Sequence, residues 1–234
     1  MQATFDHVVD EAENIKTFWF KPDKPTRYTA GQFIELTIFH DNADKRGQKR
    51  WFTLSSSPTE EMLSVTTKFA LENGSTFKQA MQSLQAGQIV RMSEAMGDFV
   101  LPKDASKPVI FVAGGIGVTP MRSMIKDMVD KAGKRDVTLL YSAKSGNEFA
   151  FTELFKHADI TYTPIVSGDD PKWQGERGYV TAEAILAIQQ TKAESYIYLS
   201  GPEPMIQALV ADMKKQGVDK KRLVTDYFPG YTTT

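Results

Sequence analysis

The chain reads as an all-β antiparallel barrel followed by an α/β doubly wound parallel sheet. Three observations predict this. Proline, glycine and polar turns break the first hundred residues into short alternating apolar segments. The second half alternates continuous apolar runs with stripes of helical period. The rhythm changes across Pro102-Lys103-Asp104-Ala105-Ser106-Lys107-Pro108, which divides the 234 residues into domains at 1–102 and 103–234.

In the first half, residues 15–20, 32–39, 51–54, 63–69, 88–92 and 99–101 read as strands, with Pro22, Pro25 and Gly31 punctuating the first gap. In 32–39, Phe33 and Phe39 fall on one face and Ile34, Leu36 and Ile38 on the other, so both faces are partly covered. A helix over 76–84 follows Asn73-Gly74-Ser75, and the polar, aperiodic 40–49 is a loop. In the second half, 109–113 is a strand buried on both faces. Met121, Met124, Ile125, Met128 and Val129 then mark a helix stripe closed by Gly133. Strands over 137–141, 160–166 and 195–199 alternate with helices over 149–155, from Thr181 to Ile188, and from Met205 to Gly217.

Composition removes several functions. With 28 basic against 29 acidic residues there is no global pull toward nucleic acid or an anionic membrane. The chain has no cysteine, so it holds no disulfide, no cysteine-ligated metal or iron–sulfur cluster, and no thiol nucleophile. His7, His40 and His157 are far apart, and no metal site is expected. No apolar run approaches the ~18–20 residues that span a bilayer, and the acidic N-terminus lacks a leader pattern. A soluble, cytoplasmic protein is expected.

The strongest local signal is Gly114-Gly115-Ile116-Gly117-Val118-Thr119-Pro120, between the first strand and first helix of the second half. Glycines let backbone approach a ligand closely, and a helix start offers free N–H groups to a phosphate. Thr119 suits the helix cap and Pro120 its first turn. Pro120 stands where the dinucleotide fingerprint G-x-G-x-x-G has its third glycine, so a plain strand–helix connection reads equally well. Ser200-Gly201-Pro202 repeats the design one strand later, and two such turns facing one crevice favour a nucleotide site. In the first half, Arg50-Trp51-Phe52-Thr53 offers a cation, aromatics and a hydroxyl suited to a flat, charged ligand; an ordinary edge strand would also carry them.

Together these segments resemble the ferredoxin–NADP reductase superfamily. Arg50-Trp51-Phe52-Thr53 is similar to its R-x-[YF]-[ST] flavin motif, Tyr28-Thr29-Ala30-Gly31-Gln32-Phe33 to its G-Q-[FY] strand, and Gly74-Ser75-Thr76-Phe77-Lys78 to its second flavin-phosphate segment. Met96-Gly97-Asp98-Phe99 resembles the P-x-G-x-F turn, the Gly114–Pro120 run the nicotinamide-nucleotide loop, and Ser200-Gly201-Pro202 the C-G-P turn. The six matches occur in family order.

The resemblance implies a flavin-binding barrel, an NAD(P)-binding second domain, and hydride transfer in the cleft between them. It assigns Arg50 to flavin phosphate, Phe52 to the isoalloxazine face with Trp51 beside it, Thr53 to the edge at flavin N5, and Ser75 and Thr76, with Gly74, to a pyrophosphate that favours FAD. Thr66 and Lys68 on the following strand join the flavin set. Gly115, Gly117, Thr119, Gly201 and Pro202 would cradle the dinucleotide, with Ser200 beside nicotinamide C4. Thr53 replaces the usual serine and keeps the hydroxyl; Ser200 replaces the usual cysteine and keeps only hydrogen bonding; Met96 replaces a proline. Tyr231 or Phe228 would cover the other flavin face, Tyr231 being the catalytic candidate beside Thr53 and Ser200.

Ser142 and Lys144, with Arg177, offer hydroxyl and cation to a 2′-phosphate and lean toward NADPH over NADH. Because the chain lacks cysteine, electrons would pass singly to a separate carrier such as ferredoxin or flavodoxin, and the basic cluster Lys45, Arg46, Lys49 and Arg50 could steer an acidic one. The rival readings are an NAD(P)H-dependent free-flavin or quinone reductase, and a flavin- or nucleotide-binding regulatory module without turnover.

Overall fold

The computed structural model describes residues 1–69 and 74–226. Its first sheet has the order β4-β3-β6-β1-β2-β5, formed by β1 (Gln2–Ala12), β2 (Ile15–Pro22), β3 (Phe33–Thr37), β4 (Lys49–Thr53), β5 (Leu63–Lys68) and β6 (Ile89–Met92). Every pairing is antiparallel. The two edge strands meet at one bridge, Leu54 with Val65, so the sheet curls into a barrel without closing. Phe5, Phe18, Phe20, Ile34, Leu36, Phe52 and Val65 fill its interior, and α1 (Thr76–Gln82) plugs one end with Phe77 and Met81.

Two elements of this half differ from the sequence expectation. β1 is eleven residues long and central. Only Ala3 and Phe5 of it enter the core, two register shifts interrupt its pairing with β2, and its outer half runs beyond the barrel as a polar ribbon. Its polar sequence therefore hides the strand. Residues 99–101 form no strand: Phe99 turns into the second core and the Val100 carbonyl accepts from Tyr198 Oη at 2.7 Å, so the segment crosses between sheets.

The second sheet is fully parallel, in the order β10-β9-β8-β7-β11-β12. Its strands are β7 (Val109–Gly114), β8 (Val137–Ala143), β9 (Thr161–Val166), β10 (Glu176–Arg177), β11 (Tyr196–Ser200) and β12 (Leu223–Asp226). The helices α2 (Thr119–Asp130), α3 (Thr152–His157), α4 (Ala182–Thr191) and α5 (Glu203–Lys215) connect them. Two apolar clusters, one on each sheet face, account for the continuous runs read in β7 and β8. α3 starts later than its apolar pattern suggests because Phe151 takes a left-handed φ of +61° just before it. Thr181 caps α4, its hydroxyl accepting from the Ala184 N–H at 3.2 Å.

The order runs outward from β7 through β8 to β10 on one side and through β11 to β12 on the other. In open α/β sheets ligands bind at such a reversal, which here falls at the carboxyl ends of β7 and β11.

Contacts of several kinds hold the halves together. Arg122 of α2 donates to the Ser55 carbonyl at 2.9 Å and forks onto Glu60, and Ser123 donates to the Ser56 carbonyl. Lys68 pairs with Glu148 at 2.7 Å. Gly31 (φ +100°) seats against the Phe99 carbonyl and Met124: a Cβ there would lie 2.0 Å from Phe99 O and 2.4 Å from Met124 Cε. Gly31→Ala is therefore expected to destabilise the fold by about 2 kcal/mol or more, combining left-handed strain with overpacking. Denaturant unfolding checks this, and an unchanged midpoint would contradict the close seating.

Candidate functional site

The crevice is built from two adjoining turns. β7 and β11 pair so that Ala113 stands opposite Ser200, which brings the turns after them side by side. After β7 the chain makes a short 3₁₀ turn, Gly115–Val118, and then enters α2. Gly117 lies so close to the neighbouring turn that a Cβ would fall 2.3 Å from Ser200 O; only glycine permits this approach. Gly115 (φ +52°) has open space where its Cβ would point. Thr119 is the first residue of α2 rather than its cap, and its hydroxyl donates back to the Ile116 carbonyl at 3.2 Å. Gly201 and Pro202 open α5 as the sequence motif implies.

Across the cleft, the barrel contributes β4 and its neighbours. Arg50 and Phe52 share one face and pack on Phe77 of α1, the guanidinium 5.1 Å and the Phe52 ring 5.9 Å from its centroid. Trp51 and Thr53 alternate to the other face. Trp51 is 54% exposed and packs on Phe33 at 5.0 Å. Thr53 is buried. β5, which adjoins β4 across the gap in the barrel, runs beside the Gly115–Val118 turn.

Five side-chain oxygens among the described residues are buried without a partner: Thr53 Oγ1, Thr67 Oγ1, Tyr162 Oη, Ser195 Oγ and Ser200 Oγ. A buried hydroxyl left unpaired costs on the order of 1–3 kcal/mol, so proteins rarely keep one without a use for it. Thr53 and Ser200 are two of the three residues that the sequence motifs nominate as reactive. The third, Tyr231, and the alternative Phe228 lie outside the described residues.

The remaining nominees take varied places. Thr66 is buried in a hydroxyl chain, bonded to Thr17 Oγ1 and Ser55 Oγ at 2.8 Å each. Lys68 is committed to Glu148. Ser75 caps α1 by accepting from the Lys78 N–H at 3.3 Å, and Gly74 has open space around it. Thr76 Oγ1 accepts the Asp44 N–H at 3.0 Å. Ser142 is buried at the end of β8 and Lys144 is exposed just beyond it. Arg177, at the far edge of the sheet, donates to the carbonyls of Asp170 and Trp173 at 2.6 and 2.7 Å, which ties it to its own loop.

Sequence reading missed three participants. Arg122 and Glu60 sit in polar positions of an otherwise apolar stripe and a short turn, and nothing local marks them as partners. Asp226 ends β12 opposite Ser200 in parallel register. Burial pushes its carboxyl up to about 6. A carboxyl that keeps its proton longer when folded than when unfolded makes stability fall as pH rises from about 4 to about 6, with the loss persisting above. Asp226→Asn is thus expected to raise the melting temperature at about pH 7.5 and leave it unchanged at about pH 3, below both values. An equal rise at both pH values would refute the buried carboxylate.

Residues 111–211 match the oxidoreductase NAD-binding domain family. The chain is 27% identical over 228 residues to the reductase component of phenol 2-monooxygenase from a Pseudomonas species, covering 94% of this chain and 63% of that protein. It is 28% identical over 224 residues to a CDP-6-deoxy-L-threo-D-glycero-4-hexulose-3-dehydrase reductase from Yersinia pseudotuberculosis, covering 94% and 65%. The chain therefore spans less than two thirds of either relative.

Among solved structures, the FAD/NAD-binding domain of nitric oxide dioxygenase from Vibrio cholerae superposes with a TM-score of 0.82 at 21% identity, covering 97% of this chain and 98% of that one. Ferredoxin–NADP+ reductase from Plasmodium falciparum gives 0.79 at 18% identity, covering 97% and 95%. These two likenesses speak to the fold. The chain is thus similar to an oxidoreductase NAD-binding domain over residues 111–211 and to reductases along almost its whole length, and it shares the fold of an open barrel joined to a parallel sheet.

Proposed function

We propose that this chain is an FAD-dependent NAD(P)H oxidoreductase that passes electrons to a separate carrier, with residues 1–102 holding flavin and 103–234 holding the nicotinamide nucleotide. One observation carries the reading. The Thr53 and Ser200 hydroxyls, one at the end of β4 and one at the end of β11, are both buried and both lack a protein partner. Each is a polar group kept for a ligand. The open space over Gly115 and the glycine-only approach at Gly117 suit a dinucleotide lying against backbone.

In this reading Arg50, Ser75 and Thr76 hold the flavin phosphates, and Phe52 packs beside the ring system. The buried, unpartnered Thr53 hydroxyl would donate to the flavin edge at N5. Ser200 Oγ would orient the nicotinamide, while Gly115, Gly117, Gly201 and Pro202 would leave room for its diphosphate and ribose. When bound, flavin supplies a hydride acceptor that links a two-electron donor to one-electron acceptors. The contacts of Arg122 and Ser123 with the Ser55–Ser56 carbonyls keep the two half-sites in register. These 234 residues have no cysteine to ligate an iron–sulfur cluster, and in this reading electrons leave the flavin for an acceptor of the ferredoxin or flavodoxin kind. Two relatives are named as reductases of a monooxygenase and of a dehydrase, which supports a reductase that serves a partner enzyme.

Reconstitution with FAD followed by anaerobic addition of NADPH or NADH tests the proposal. The expected result is a yellow protein bleached by the nucleotide, faster with NADPH because of Ser142 and Lys144. Protein that takes up no FAD would refute it. A yellow protein that NAD(P)H does not bleach would favour a module without turnover.

A further inference from the structure

We propose that Asp44 is a built-in anion that competes with the flavin phosphate for Arg50 and Thr76, so that this chain binds its flavin exchangeably. The inference rests on the assignment of Arg50 and Thr76 to phosphate made above.

Both of those groups are already engaged, and by the same residue. Arg50 Nη2 donates to both Asp44 carboxylate oxygens, at 3.1 and 3.3 Å. The Asp44 backbone N–H donates to Thr76 Oγ1 at 3.0 Å. One acidic residue thus bridges the cation and the hydroxyl that a phosphate would bridge.

The arrangement is built rather than incidental. Arg50 Nη1 is spent on the carbonyls of Arg46, Gly47 and Lys49, at 2.7, 2.9 and 2.7 Å, and the guanidinium lies over the Phe77 ring. Its Nη2 protons carry the Asp44 pair. The Asp44 carboxylate is steadied from its own side by the Arg46 N–H at 2.8 Å, and His40 Nε2 approaches Thr76 Oγ1 at 3.3 Å. An incoming phosphate must therefore exchange one anion for another on a fixed fork. It gains only the difference between the two charge-assisted pairs. A flavin without phosphate meets no such competitor.

Fluorescence titration of the full chain with FAD and with riboflavin, comparing wild type and Asp44→Asn, tests the proposal. The substitution removes the charge and keeps both the side-chain shape and the backbone donor to Thr76. FAD is expected to bind about tenfold more tightly to Asp44→Asn, with riboflavin affinity unchanged within about twofold. FAD affinity that is equal or lower in the variant overturns the inference, as does a parallel change for both flavins. Wild-type protein that binds neither flavin overturns the flavin assignment itself, and this inference with it.

Discussion

Thr53→Val is expected to slow NAD(P)H-dependent reduction of bound flavin about 100-fold while leaving the folded protein as stable as before, or slightly more so. The substitution exchanges a hydroxyl for a methyl of nearly the same shape, and both side chains are β-branched. The hydroxyl has no partner in the protein, so its removal relieves a desolvation cost of about 1 kcal/mol rather than breaking a bond. Its value lies with the ligand. Loss of one directed hydrogen bond at a reacting edge typically costs ~10²–10³ in rate, or about 3–4 kcal/mol of transition-state stabilisation. Stopped-flow bleaching and denaturant unfolding measure the two sides separately. Thr53→Ser keeps the hydroxyl and should retain most of the rate. A valine variant that reduces flavin at the normal rate would remove Thr53 from the reaction.

The second large effect is structural. Arg122→Ala should destabilise the protein by ~3–5 kcal/mol, because it strands the Glu60 carboxylate in a largely buried position. The two side chains are 12% and 18% exposed, and the guanidinium also covers the rings of Trp19 and Phe151 at 5.7 Å each. Removing both charges should be milder than the sum of the single losses. A double-mutant cycle with Glu60→Gln, read by denaturant unfolding, measures that coupling. A loss below about 1 kcal/mol for Arg122→Ala would mean the pair behaves like an ordinary surface contact.

Much of this molecule is legible in its sequence, for definite reasons. β7 and β8 announce themselves because both faces of a central parallel strand are covered, leaving no polar alternation to confuse them. The glycine turns are legible because close backbone approach excludes side chains, as Gly117 against Ser200 makes plain. β1 is not legible, because a central strand that leaves the barrel behaves like surface over half its length. Neither is β12, whose four residues sit only half-buried at a sheet edge. At the site, the motif residues could be nominated individually. The engagement of Arg50 by Asp44 and of Ser55 by Arg122 could not, since these depend on where a loop folds back and where α2 lands.

The seam between the halves combines serine, threonine and charged contacts with apolar ones, since Ala30 and Phe99 of the barrel half pack into the core under the second sheet. Such a seam matters for chimeras. Joining this barrel to the second half of another protein of the same fold would lose the alignment of the halves unless the graft supplied a guanidinium in Arg122's place and a seat for Ala30 and Phe99. Recombination between proteins of this fold should therefore succeed or fail on the few side chains that cross the seam.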